Sequence, residues 1–158
     1  MSNQKGTTLV EILLYIVITA IVLFIISESI SLIVASQQRI KGEKEIAQSL
    51  TLATVKIEKS IKEASAVTGT YPADVLNLTI GEVTTTYSIS EGVLQKKIGE
   101  ASSVDITNSN VTISPWDGEK VFSLISTDTV QVKFKIVFCA NTDIQTQIQT
   151  TVSLRKSW

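Results

Sequence analysis

Glu11 is the residue whose setting asks for chemistry. It stands at the mouth of an apolar run, Ile12 to Ile26, that only Thr19 interrupts. A charged side chain inside a membrane helix costs roughly 2.5–3.5 kcal/mol on insertion scales, so such a carboxylate is expected to meet a partner of opposite charge. Other reactive residue types are scarce. Histidine is absent from the 158 residues, which removes the usual general base and the commonest metal ligand. No Ser-His-Asp set can form, no Cys cluster has ligand spacing, and no Gly-rich phosphate loop follows a strand. The expectation is a protein that is not an enzyme, with no catalytic, cofactor-binding or metal-ligating residues. The lone Cys139 cannot close an internal disulfide and reads as a small buried hydrophobe at the end of a strand.

A net charge of −1 gives no overall basic field for nucleic acid or anionic lipid. Lys96, Lys97, Lys133 and Lys135, if clustered on adjacent strands, would form the basic stripe that nucleic acid needs as a partner. Trp116 reads as turn or core packing more than as a contact aromatic. The basic, aromatic tail Leu154 to Trp158 either docks on a neighbour or frays.

These residues have to be positioned by a small number of elements. Leu9 to Ala35 supplies about the 20 predominantly apolar residues that a bilayer span needs. Beyond it, Ile40, Ile46, Leu50, Ala53, Ile57, Ile61 and Ala64 recur mostly three or four apart, the stripe of one helical face. Charged residues fill the gaps, and Glu58 with Lys62 has the i to i+4 spacing of a surface pair. No proline falls between Thr7 and Ala66. One nearly continuous helix of roughly 90 Å is therefore predicted, ending near Val67 to Gly69, with Gly42 and Ser27-Glu28-Ser29 as places for a bend or local melting.

From Val75 the period changes to two. Val75 to Ile80, Val83 to Ser90 and Val93 to Ile98, joined by Gly81-Glu82 and Glu91-Gly92, predict an antiparallel meander. Val104 to Thr107 and Val111 to Ser114 are expected to form another short pair, followed by a strand over Val121 to Ile125. Thr129 to Phe138 against Ile144 to Leu154 is the strongest pair, with one apolar face. The helical stripe is the only large complement to that face, so helix and sheet should share one core. The fold class is α+β: a long N-terminal helix, half of it transmembrane and half amphipathic, packed on a C-terminal antiparallel β-sheet.

The order Lys5-Gly6, then Thr7-Thr8-Leu9-Val10-Glu11, then an apolar helix, resembles the N-terminal segment of type IV prepilins and type II secretion pseudopilins. The resemblance implies that prepilin peptidase cuts between Gly6 and Thr7 and N-methylates Thr7, where the family usually carries phenylalanine. It also implies that Glu11 is the near-terminal glutamate that meets the terminal ammonium of a neighbouring subunit in the filament core. The strand-rich C-terminal region without a cysteine pair is most similar to minor pilins of the W type and pseudopilins of the J type.

The domains implied are a leader over 1–6, a transmembrane and filament-core helix over 7–35, its amphipathic half over 36–68 and a β-sheet head over 69–158. The function implied is a structural subunit of a type IV pilus or of a related secretion or competence filament. Its partners would be prepilin peptidase, other pilin or pseudopilin subunits, the inner-membrane assembly platform and the lipid bilayer. Lys5 precedes the helix while Arg39, Lys41 and Lys44 follow it, so a bare count of positive charge favours the opposite orientation. The resemblance places the N-terminus in the cytoplasm, with the chain first in the inner membrane and then in an extracellular or periplasmic filament. A permanently anchored single-pass protein with an extracellular β-rich binding domain is the alternative.

Overall fold

The computed structural model describes residues 9–155. Helix α1 spans Leu9–Glu63 and is followed by strands β1 (Ala66–Thr68), β2 (Val75–Ile80), β3 (Val83–Ser90), β4 (Val93–Ile98), β5 (Val104–Asp105), β6 (Val111–Ser114), β7 (Phe122–Ser126), β8 (Thr129–Phe138) and β9 (Asn141–Ser153). The chain divides into two compact units, residues 1–40 and residues 41–158.

In the second unit the buried helical residues are Gly42, Ile46, Ser49, Ala53, Ile57, Ser60 and Ile61. Their spacing of three and four keeps them on one face, as the apolar pattern predicts. Ile40 lies outside this core and is exposed. No local melting occurs at Gly42 or at Ser27 to Ser29. The helix is assigned without interruption through Gly42 and through Ser27 to Ser29, and a Cβ at position 42 would lie 2.8 Å from side-chain carbons of both Ile144 and Phe138. Glycine is there because β8 and β9 come too close for a larger residue.

The helix stops at Glu63, a few residues earlier than the sequence predicts. The Ser65 N–H and hydroxyl both donate to the Thr79 carbonyl, at 2.8 and 3.1 Å. The next residues then pair with β2, so the β-branched Val67 and Thr68 enter a strand instead of another helical turn.

The strands form two antiparallel sheets where one was expected. The first has the order β1-β2-β3-β4-β5, and the second is built on β8. One side of β8 bonds β7 and then β6 along its length, and the other bonds β9. The predicted pairing of Val104 to Thr107 with Val111 to Ser114 does not occur. Val104 and Asp105 pair with β4, while β6 pairs with β8. Leu94 decides this: its carbonyl accepts the Ile106 N–H at 2.8 Å, and its N–H donates to the Thr107 hydroxyl at 3.1 Å, which draws Ile106 and Thr107 inward. On β8, Val130, Val132, Phe134, Ile136 and Phe138 are buried in strict alternation. They join Ile46, Ala53, Ile57 and Ile61 of the helix and Leu76, Leu78, Tyr87 and Leu94 of the first sheet in one hydrophobic cluster. Both sheets and the helix thus share a single core.

Within that core the Ser49 hydroxyl is buried and has no hydrogen-bond partner among the described residues. An unsatisfied buried hydroxyl is destabilising, and alanine is the better helix former. Ser49→Ala is therefore expected to raise stability by about 1 kcal/mol, read as a higher urea midpoint of the detergent-solubilised chain.

Candidate functional site: the apolar helix and its carboxylate

The first unit is described from Leu9 and consists of helix. Its large apolar side chains point outward: Leu9, Leu14, Ile18, Phe24 and Leu32, among others, are about half or more exposed. In water such a surface would be strongly unfavourable, and α1 contains a window long and apolar enough to cross a membrane. Two of its hydroxyls bond back to the helix itself. Ser29 donates to the Ile25 carbonyl at 2.8 Å and Ser31 to the Ser27 carbonyl at 3.0 Å, which leaves neither needing water.

Glu11 is exposed near the start of the described part of this helix. Glu28 is the next charged residue. Between them lie four to five turns of apolar surface. This helix can pack against lipid or against similar helices, with Glu11 free to take a cation near one end. Gly6 and Thr7, the expected cleavage and methylation positions, lie outside the described residues, as does Trp158.

Other sequence candidates are placed differently from expectation. The four lysines do not form a stripe. Lys96 and Lys97 belong to β4 in the first sheet, whereas Lys133 and Lys135 belong to β8 in the second. The Lys133 ammonium is 2.8 Å from the Glu119 carboxylate, and Lys96 is turned into the helix–sheet seam. Nucleic acid thereby loses the basis on which it was considered. Cys139 is exposed instead of buried, because β8 ends at Phe138 and Cys139 begins the turn to β9. Its thiol lies 3.2 Å from the Thr112 hydroxyl. Trp116 is half-buried in a turn, with its indole N–H on the Asp117 carboxylate at 2.9 Å. Among the described residues no three His, Cys, Asp or Glu side chains come together as a metal site. Glu58 and Lys62 do pair, at 3.5 Å on an exposed face, which contributes a few tenths of a kcal/mol, order of magnitude.

One polar chain inside the seam had no signal in the sequence. The Lys96 ammonium donates to the Ser60 hydroxyl at 3.3 Å and sits 5.6 Å from the centre of the Tyr87 ring. Ser60 and Tyr87 hydroxyls lie 2.7 Å apart, and Tyr87 donates to the Lys56 carbonyl at 3.0 Å. Only the register of β3 and β4 against the helix brings these residues together. Burial pushes the Tyr87 phenol above its ordinary pKa of 10.0, with the Ser60 hydrogen bond lowering it and nearby Glu63 raising it. Its neutral form is thus favoured in the folded state. This contribution is fully present below pH 10 and is lost as pH rises through the elevated folded value. Stability should fall on the alkaline side, and Tyr87→Phe should flatten that fall while costing about 1–2 kcal/mol at neutral pH through the lost hydrogen bonds. Urea midpoints at pH 7 and pH 11 measure both.

The family model for the prokaryotic N-terminal methylation motif matches residues 1–27. No curated protein and no solved structure matches the chain. The motif match supports a type IV pilin-like family. It covers residues 1–6, Glu11 and the apolar run from Ile12 to Ile26. Proteins of this kind are structural and non-enzymatic, and the motif suggests a substrate of prepilin peptidase that assembles with other pilins. Together with the apolar helix it suggests a membrane-anchored protein. The layout of one long N-terminal helix followed by antiparallel sheets is consistent with a type IV pilin-like fold.

Proposed function

We infer that the chain is a minor pilin or pseudopilin, cut between Gly6 and Thr7, N-methylated at Thr7, and assembled into a filament through residues 7–35. The observation that carries this reading is the carboxylate Glu11 directly before the apolar run Ile12 to Ile26 of an outward-facing helix, within the matched methylation motif. In a helix bundle of low dielectric, Glu11 and the new terminal ammonium of a neighbour are each unfavourable alone. Pairing them selects one axial register. Before assembly the same helix holds the protein in the cytoplasmic membrane, with its N-terminus on the side of the peptidase. Residues 36–68 then serve as the amphipathic half of the spine and 69–158 as the head. A strand-rich head with a single cysteine supports likeness to W-type minor pilins and J-type pseudopilins over major pilins.

Mass spectrometry of the mature N-terminus tests the reading in the native cell. A chain beginning at methylated Thr7 is the expected result. A chain that keeps Met1 would instead make it a permanent anchor carrying a binding domain.

A further inference from the structure

Strand β9 is the longest in the molecule, with 13 residues, and it has one bonded and one open edge. The hydrogen bonds of β8 reveal which residues face the open side. The Lys133 N–H donates to the Val121 carbonyl at 2.8 Å, and the Cys139 N–H to the Asn110 carbonyl at 2.9 Å. Odd-numbered residues of this strand and its continuation thus bond toward β7 and β6. Even-numbered ones bond toward β9, and the Leu154 N–H on the Asp128 carbonyl at 2.7 Å extends that set. Because Val130 pairs with Val152, Val132 with Thr150, Phe134 with Ile148 and Ile136 with Thr146, the intervening residues of β9 turn their backbone outward. These are Gln145, Gln147, Gln149, Thr151 and Ser153. Among the described residues their outward N–H and C=O groups have no partner.

Exposed edges are normally blunted by charge, proline or a bulge. Between Asp143 and Arg155 this edge has neither charge nor proline, and the irregularity in its pairing lies at the turn end, at Val137/Phe138. Room exists beside it as well. A hollow of about 310 Å³ lies between α1 and the start of β9, where Ile46, Ala47 and Leu50 face Ile144 and Thr146. Another of about 590 Å³ lies at the far end, between Val55, Glu58, Lys62 and Arg155. An added strand would turn alternate side chains into these hollows and extend the apolar layer over the half-buried Ile144 and Ile148. Asp143 and Arg155 bracket the edge. Both are exposed and neither has an ion pair among the described residues.

A row of outward N–H and C=O groups repeating every two residues is satisfied along its whole length only by another extended backbone. We propose that the open edge of β9 docks an extended strand of a different subunit in the same filament, apolar on the side facing α1, with a cation near Asp143 and an anion near Arg155. The proposal rests on the filament reading above. A second copy of β9 in antiparallel pairing does not fit. The helix from Gly42 to Glu63 runs beside β9 in the same direction, with Gly42 at Ile144 and Glu58 near Arg155. Antiparallel pairing of two β9 strands would set their helices in opposite directions, whereas subunits drawn from one membrane run the same way.

The test compares the full chain in detergent with the same chain in sheared filaments by residue-resolved amide hydrogen exchange. In detergent, the amides of Gln145, Gln147, Gln149, Thr151 and Ser153 should exchange at least about tenfold faster than those of Thr146, Ile148 and Thr150, and in filaments they should slow by about 10²-fold. Equal rates for the five in both states would overturn the proposal. Slow exchange already in detergent, with a dimeric mass, would assign the edge to a second copy and overturn it too. Gln149→Pro removes an outward N–H without touching the β8 ladder. It should keep the parental near-ultraviolet spectrum and N-terminal processing, yet enter filaments at least about tenfold less. Parental incorporation of that variant would count against the docked strand. If it loses the folded spectrum, the exchange comparison decides. A parent chain never present in filaments removes the subunit reading itself, and the docking proposal with it.

Discussion

A Glu11→Ala chain is expected to enter the membrane and be cut after Gly6, yet to reach filaments in about 10²–10³-fold lower yield than the parent. Alanine makes the helix easier to insert, so loss of anchoring cannot account for the defect. In the filament proposed above, what it removes is one half of a buried pair. The neighbour's methylated ammonium is then left without a counter-charge among apolar helices, a penalty of about 3–5 kcal/mol. The yield is read as the ratio of chain in the sheared fraction to chain in the membrane fraction. N-terminal mass spectrometry of the membrane fraction confirms that processing is intact. Incorporation at the parental level would show that Glu11 meets no such partner.

Phe134→Ala is expected to lower the stability of the second unit by about 3–5 kcal/mol. Phe134 is 2% exposed in the middle of β8, opposite Ile148, in the cluster that joins helix and sheets. Beside it on the same face of β8 are Val132 and Ile136, and across the ladder is Ile148, β-branched residues fixed in place, so the vacated space has little means of closing. Because a whole domain has only about 5–15 kcal/mol of stability, the variant should stand near its unfolding midpoint under mild conditions. A urea titration of the detergent-solubilised chain, followed by the near-ultraviolet signal of Trp116, should show a lower midpoint with an unchanged slope. A shift of under about 1 kcal/mol would mean that the core closes around the gap.

The two predictions draw on different kinds of information. Glu11 and its apolar helix are legible from residue order alone, because a carboxylate beside a span-length apolar run has a cost that depends on no other part of the fold. The strands over Val75 to Ile80, Val83 to Ser90, Val93 to Ile98, Val111 to Ser114 and Thr129 to Phe138 were equally legible, with the bounds observed. Period-two alternation and glycine-containing turns are local properties of the chain. The buried stripe from Ile46 to Ile61 followed from helical spacing in the same way.

Partnership was not legible. Val104 to Thr107 carries a strand pattern that fits several neighbours, and only the Leu94 backbone, holding Ile106 and Thr107 from both sides, placed it beside β4. The lysines on β4 and β8 look adjacent in a list of strands but fall in separate sheets. The closeness of Phe138 and Ile144 to Gly42 has no local signal, and the Lys96-Ser60-Tyr87 chain exists only in the register that β3 and β4 take against the helix. Sequence by itself therefore determined the elements and the anchored carboxylate, which follow from periodicity and solvation along a short stretch. Tertiary structure alone decided the division into two sheets, the exposure of Cys139 and the open edge of β9, since each depends on which of several compatible surfaces meet across long separations in the chain.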